Sequence, residues 1–468
     1  MIAAKSFANE TLAVMGLARS GLSSVRALVA GGAKVIAWDD QTERCAVAAE
    51  FGAVIEDLSK VDFSGVSRLV LSPGIPHTYP APHPVTERAR AAGVPIIGDI
   101  EILLRTCPNA HLIGVTGTNG KSTTTALIGH ILEQAGLRCQ VGGNIGRPVL
   151  EFEEWAEDEI YVLELSSYQL ELTPSLSCAV AVLLNVSPDH LDRHGGLKGY
   201  VVAKQRIFAG MARGAPAIVG IDDEASVGIH AALPVSGAIN AIPISGLTLP
   251  KGGVGVERGR LVDARGGRVC DLFDFSRAVR LPGSHNAQNA AAAAVVSLTL
   301  GIEPCIVAKA IRDFPGLPHR QELVASERGV SYVNDSKATN ADAAARALVC
   351  YRPIYWIAGG IAKEGGIDGL APYFGRIRHA FLIGASMEAF ASTLAGRVPF
   401  SACVTLDHAV KEAHELAVRE GQNGATVLLS PAAASFDQFA NYEARGNAFR
   451  NLVAFWNSER GTANRRAS

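Results

Sequence analysis

GVTGTNGKSTTTAL, residues 114–127, decides the fold. An apolar run, HLIGVT, leads into it, and a helical pattern, TALIGHILEQAG, leads out, so a Gly-rich turn joins a strand to a helix. Such a turn aims several backbone N–H groups and the positive end of the helix at one spot, which suits a phosphate chain. The common form of that loop, G-x-x-x-x-G-K-[ST], opens on a glycine. Val115 holds that position here, and the glycines fall at Gly114, Gly117 and Gly120. Gly117 and Gly120 would let the backbone close on a phosphate, Lys121 would offset its charge, and the Ser122 hydroxyl would ligate Mg2+.

Around this loop the chain reads as α/β throughout. Its 468 residues are 48% hydrophobic and 19% charged, with 48 glycines and only 6% aromatics. That length allows for about three domains at about 150 residues each, and that composition suits Ala/Val/Gly-rich layers rather than a sandwich. The expected division is 1–99, 100–316 and 317–468. The first and third parts read as Rossmann-like, and the middle part as an ATPase-like, mostly parallel sheet. DFPGLPHRQE, residues 313–322, reads as the hinge before the third part. Net charge is −2 with no basic stripe, apart from a short end at Arg465 and Arg466; this argues against nucleic acid as a partner. Eight scattered cysteines without a C-x-x-C pair read as buried reduced thiols. MIAAKSFANE carries no apolar signal core, and the Ala-rich run from Ala290 is too short to span a bilayer. The expectation is a cytoplasmic chain with no membrane partner.

Other motifs follow the same strand-then-loop logic. GLARSG, Gly16 to Gly21, resembles a dinucleotide turn with Ala18 in its second glycine position, and Asp39 ends the next strand at the spacing of a ribose-binding acid. A Cβ at Ala18 obstructs close pyrophosphate approach, so a nicotinamide dinucleotide and another nucleotide-bearing ligand both stay open. Glu164 ends the strand YVLE and suits Mg2+. His190 lies just past another apolar strand; Asp189, Asp192 and His194 beside it read as solvated loop residues, and a zinc site would need convergent ligands. Lys204 has nothing in its spacing to single it out from a solvated helical lysine. Ser284 or Asn286 would cap the Ala-rich helix. NDSKATN (Asn334–Asn340), GGIAKEGG (Gly359–Gly366) and SPAAASFDQF (Ser430–Phe439) put lysines and hydroxyls at strand ends, which suits an anionic small substrate.

Taken in order, GLARSG, SPGIP, GTNGKST, GGNIG, ELSSYQLE, NVSPDHLDRH, GSHNAQN, GLPHR, NDSKATN and LLSPAAASFDQF resemble the Mur ligases and the related folylpolyglutamate synthases, over nearly the whole chain. ELSSYQLE, NDSKATN and SPAAASFDQF favour the D-glutamate-adding branch. The resemblance implies ATP, UDP-N-acetylmuramoyl-L-alanine and D-glutamate as small-molecule partners, two Mg2+ ions, and a monomer that phosphorylates a carboxylate before an amine attacks it. It implies ATP binding by Gly117, Thr118, Asn119, Gly120, Lys121, Ser122, Thr123, Asn286, Arg320 and Asp335. Metal binding falls to Ser122, Glu164, His190 and a carbamylated Lys204; Lys121, His190, Lys204 and Asn144 carry the catalytic roles. Ser20, Asp39 and Gly74 would line the UDP pocket, with Asn144 and Ser166 further along the substrate. Lys337, Thr339, Lys363, Ser435 and Tyr442 would grip D-glutamate. The chain departs from the family pattern at Arg19 and Ser20, where an apolar-Thr pair is familiar, at Asp40-Gln41 after Asp39, at Tyr442 in place of Phe, and in GGIAKEGG, which lacks the acid after its glycines.

Overall fold

The structure is a computed structural model that describes residues 1–154, 159–233 and 239–465, with side chains described as far as Trp456; the basic end at Arg465 and Arg466 lies outside those side chains. The chain forms two compact units: residues 1–277 with 284–313, and residues 278–283 with 314–468. The division after Asp313 falls inside the Pro- and Gly-dense stretch.

The first unit holds two sheets. One has strands β1 (Thr11–Met15), β2 (Lys34–Trp38), β3 (Val54–Ile55), β4 (Arg68–Leu71) and β5 (Ile96–Ile97), all parallel, in the order β3-β2-β1-β4-β5. The other has β6 (His111–Thr116), β7 (Cys139–Gly143), β8 (Ile160–Glu164), β9 (Val180–Leu183), β10 (Pro216–Gly220), β11 (Asn240–Ile244), β12 (Val254–Glu257), β13 (Arg260–Asp263) and β14 (Cys270–Asp274). Its order is β14-β13-β12-β11-β10-β9-β6-β8-β7, parallel except for the antiparallel β12-β13-β14 extension. Those last strands are short and polar, so no apolar run announces them in the sequence. Both sheets share one core: Leu28, Ile100 and Leu103 cluster with Leu150, Phe152 and Tyr161, and Gly98 N–H donates to Leu172 O at 2.8 Å.

The second unit carries β15 (Glu322–Glu327), β16 (Val330–Asn334), β17 (Ile354–Gly359), β18 (Ile377–Ile383), β19 (Phe400–Val404) and β20 (Thr426–Leu429), in the order β15-β16-β20-β17-β18-β19. Only β15 runs antiparallel. β17 (IYWIAG) is buried along its whole length, as a central parallel strand covered on both faces must be.

Two expectations need correcting. The Ala-rich helix runs Ser284–Thr299, so Ser284 and Asn286 both lie in its first turn rather than before it. Not every thiol is buried: all eight cysteines are unpaired, but Cys270 and Cys305 are exposed. Among the described residues, no helix is long and apolar enough to cross a membrane.

The turn after β1 shows why glycine is required there. Gly16 has φ +88°, and a Cβ on Gly21 would stand 1.8 Å from Gly16 O. The first turn of helix Arg19–Ala30 therefore packs on the backbone that precedes it. Gly21→Ala should cost about 3 kcal/mol; a urea midpoint equal to the parent's would contradict this close approach.

Candidate active site

The phosphate-type loop leaves β6, and its odd spacing has a simple cause. Val115 and Thr116 are fully buried parts of the strand, so the turn starts only at Gly117. Gly117 has φ +150° and Gly120 φ +85°, and a Cβ on Gly120 would stand 2.3 Å from Asn289 Oδ1 on the Ala-rich helix. Gly120 thus serves both the turn and a close helix contact. Helix Lys121–Gln134 starts immediately after it, with Ser122 and Thr123 buried in its first turn. The segment after β9 braces the loop. Thr118 N–H donates to Asn185 O at 2.8 Å, Asn119 N–H donates to Asn185 Oδ1 at 2.9 Å, and Ser187 N–H donates to Thr118 Oγ1 at 3.0 Å. A loop with its shape fixed this way is preorganised for an anion.

Two lysines meet at this loop. Lys121 Nζ donates to Gly117 O and Thr118 O, both at 2.9 Å. Lys204 Nζ donates to the same Gly117 O at 2.8 Å, with only 1% of Lys204 exposed, and it lies 4.5 Å from the centre of the Tyr200 ring. Burial, and next the neighbouring Lys121 charge, push the Lys204 amine well below its usual value, while Asp189 and Glu164 pull it back up. Glu164, 2% exposed, ends β8. Its Oε1 accepts from Asn144 Nδ2 at 2.8 Å, while its Oε2 is buried with no hydrogen-bond partner. An orphaned carboxylate oxygen beside a phosphate loop fits a cation. His190 stands half exposed at φ +51°, with Nε2 3.5 Å from Asp189 Oδ2. Among the described residues no three His, Cys, Asp or Glu side chains converge as a metal site, so the zinc alternative finds no ligand set. Mg2+ needs fewer protein ligands, because it keeps waters and takes substrate phosphates.

Of the residues expected around UDP, Asp39 and Gly74 lie on loops that leave the first sheet, and Ser20 lies in the first turn of helix Arg19–Ala30. The Gly16 turn packs against Ser72 and Ile75, near Gly74, and Ser20 O accepts from Ser24 Oγ. Asp39 is engaged by its own neighbourhood: Oδ2 accepts from Leu17 N–H at 2.6 Å and Oδ1 from Gln41 N–H at 2.8 Å. Burial raises this carboxyl, but those amides and Arg44 outweigh it and hold the group below its ordinary value. An acid already spent on its own turn does not favour the dinucleotide reading. Ser166 caps helix Ser167–Glu171 in a capping box with Gln169. Asn286 accepts from Asn289 Nδ2 at 3.0 Å.

In the second unit, Asp335 is buried at the end of β16. It accepts from Ser430 Oγ at 2.7 Å and from Gln321 N–H at 3.1 Å. Burial pushes this carboxyl up to about 7 despite both bonds and the Arg320 charge. Lys337 Nζ lies 5.6 Å from the Tyr442 ring centre, and Thr339 N–H donates to Lys337 O. Ser435 is buried, Lys363 is exposed, and their loops are joined by the Ile361–Ala434 bridge.

Residues 115–297 match the Mur ligase middle domain family, and residues 319–433 match the Mur ligase, glutamate ligase domain family. The chain belongs to the Mur ligase family. It is 52% identical over 453 residues to the UDP-N-acetylmuramoylalanine--D-glutamate ligase of Rhodospirillum rubrum, covering 96% of this chain and 95% of the relative. It is 51% identical to the enzyme of that name from Paramagnetospirillum magneticum, covering 97% and 98%. Among solved structures it resembles UDP-N-acetylmuramate-alanine ligase from Thermotoga maritima, at TM-score 0.57 and 18% identity over 96% of this chain and 99% of that one. It also resembles the UDP-N-acetylmuramoylalanyl-D-glutamyl-2,6-diaminopimelate--D-alanyl-D-alanyl ligase of Acinetobacter baumannii, at TM-score 0.59 and 17% identity over 90% of each chain. Mur ligases are ATP-dependent.

Three residues of this Mur ligase behave otherwise than their sequence pattern suggests. Lys204 is buried at the loop rather than solvated. His194 is buried rather than solvated: Nε2 lies 2.9 Å from Ser167 Oγ, Nδ1 lies 3.3 Å from Glu171 Oε1, and its ring stacks on Tyr168. Arg445, 1% exposed, has no mark in the sequence pattern. It donates to Ser336 Oγ at 3.0 Å, Ser336 O at 2.9 Å and Ala433 O at 3.1 Å, which ties the loops after β16 and β20 together. Burial lowers its guanidinium to about 10. A lone arginine in NYEARG carries no signal for that role.

Asp335 makes stability depend on pH. Its folded value of about 7 lies above its ordinary value of 3.8, so between the two the folded chain holds a proton the unfolded chain has lost. That contribution is full below the unfolded value and disappears as pH rises through the folded one. Asp335→Asn should therefore flatten the fall in urea midpoint between about pH 5 and about pH 7.5. A variant that falls as steeply as the parent contradicts the buried, protonated carboxyl.

Proposed function

We propose that this chain is an ATP-dependent ligase that adds D-glutamate to UDP-N-acetylmuramoyl-L-alanine through an acyl phosphate, a step of peptidoglycan precursor synthesis in the cytoplasm. The observation that carries this reading is its full-length likeness to two relatives that bear that activity in their names. We assign it to a monomer with parts 1–99 for the UDP substrate, 100–316 for ATP and 317–468 for the amino acid.

Lys121, Ser122 and the amides of Gly117 to Thr123 would hold the ATP phosphates, Arg320 would approach those phosphates too, Asn286 would contact ATP, and Asp335 would take its ribose. Ser20, Asp39 and Gly74 would line the UDP pocket, with Ser166 further along. A carboxylate oxygen of the substrate attacks the γ-phosphorus and ADP leaves. Lys121 would offset the charge gathered at the transferring group. The D-glutamate amine, its acid gripped by Lys337, Thr339, Lys363, Ser435 and Tyr442, then attacks the acyl carbon and expels phosphate. Asn144, fixed on Glu164, would orient the reacting carboxylate. Glu164 with Ser122 would hold one Mg2+, and His190 with Lys204 a second. When bound, the metal supplies positive charge to the phosphates. Burial lowers the Lys204 amine well below its usual value and so favours the neutral form that attacks CO2: the N–C bond forms as one C=O π bond of CO2 opens, the nitrogen gives a proton to water, and an anionic carbamate results.

The deciding assay is phosphate release with ATP, Mg2+ and UDP-N-acetylmuramoyl-L-alanine, with D- and L-glutamate in parallel. Release with D-glutamate alone, and a product heavier by one glutamyl residue, supports the reading; release with L-glutamate or with neither overturns the substrate. In the same assay Lys204→Ala should lose about 100-fold in activity and regain part of it with added formate or acetate. A fully active variant removes the carbamate.

A further inference from the structure

Two guanidinium groups cross between the first sheet and the central sheet, in opposite directions. Arg19, four residues after β1, donates from Nη2 to Gly146 O at 2.8 Å, just after β7. Arg193, in the short helix Leu191–His194 that follows β9, donates from Nη1 to Gly74 O at 2.9 Å, just after β4. All four anchors follow the carboxyl ends of parallel strands, the edge where open α/β sheets bind ligands. In the central sheet the local order is β9-β6-β8-β7. The two ties are therefore anchored on the strands that flank β6, which carries the phosphate loop, and β8, which carries Glu164. On the first sheet they meet β1 and β4, which are neighbours.

A single exposed guanidinium–carbonyl bond is worth little. These two are not isolated. The Arg193 guanidinium lies 4.6 Å from the Tyr168 ring centre, and that ring stands 5.3 Å from His190 and stacks on His194. Beside it Gly195, at φ +67°, lies so close to Tyr79 of the first sheet's loop that a Cβ would reach the ring at 2.8 Å. Arg19 is anchored two residues from Asn144, which holds Glu164. Each tie thus connects a segment that follows a strand of the first sheet to a segment that positions a group of the central site.

We propose that Arg19 and Arg193 are positioning residues, a pair of straps that bracket the path of the nucleotide substrate and set the distance between its uridine end and its reacting carboxylate. The inference rests on the proposed function, because a substrate anchored on one sheet and reacting on the other needs that distance held. Loop displacement of a fraction of an ångström is enough to lower the rate of a positioned reaction.

The test is steady-state kinetics of Arg19→Ala, Arg193→Ala and the corresponding Lys variants, with amide hydrogen exchange of the full chain without substrates. Each Ala variant should raise KM for UDP-N-acetylmuramoyl-L-alanine about tenfold and leave KM for ATP and D-glutamate within about twofold. Lys, which still donates to a carbonyl, should restore most of the loss. Exchange should quicken at residues 72–76 and 143–147. Unchanged KM and exchange overturn the proposal, and so does an equal rise in all three KM values with a lowered Tm, the mark of general loosening. If the parent shows no D-glutamate-dependent turnover, the functional reading fails by itself, and exchange at the two loops still decides whether the straps hold them.

Discussion

The centre of this molecule depends on one carbonyl oxygen that serves two lysines. Gly117 O accepts from Lys121 and from Lys204, so the two amines cannot be further apart than those two bonds allow. Two ammonium charges so close repel, and burial disfavours the charged form of an enclosed amine. Lys204 is almost wholly enclosed and has the lowered value. A neutral amine or an anion at that position relieves the repulsion, and an anion also offers a cation a ligand besides the unpartnered Glu164 oxygen. The two lysines at the loop and the buried Glu164 carboxylate belong to one electrostatic arrangement.

Parallel sheets make the arrangement available. Strands buried on both faces leave only their ends for chemistry, and the loops after β6, β7, β8 and β9 all leave the same edge of the central sheet. The backbone there is crowded: a Cβ on Gly143 would stand 2.3 Å from Glu164 O, which lets Asn144 reach the carboxylate. In the second unit the corresponding edge is held by one buried cation, Arg445, whose three close bonds set the loops that carry Lys337 and Ser435.

How much of this was legible in the sequence depends on the kind of signal each part leaves. Apolar runs ending in polar or Gly-rich loops mark β1, β6, β8, β16 and β17 and the loop at Gly117, because burial on both faces and left-handed backbone both restrict residue type. The β13–β14 extension left no such trace, since a half-exposed antiparallel strand needs no unbroken apolar run. Lys204, His194 and Arg445 were illegible by pattern because burial of a polar side chain is settled by distant partners: Gly117 for the first, Ser167 and Glu171 for the second, Ser336 and Ala433 for the third. Resemblance to a family singled out Lys204; neither pattern nor resemblance marked Arg445. Asp39 shows the converse. Its spacing suggests a ligand contact, and its oxygens also brace the turn that precedes helix Arg19–Ala30 through Leu17 N–H and their own turn through Gln41 N–H, which the spacing does not announce.

The most direct test of this electrostatic account is 13C NMR of the protein equilibrated with 13C-bicarbonate. The account predicts a carbamate carbonyl resonance that is present in the parent and lost in Lys204→Arg, whose guanidinium cannot add CO2. A parent spectrum with no such resonance, or one that persists in the variant, would contradict it.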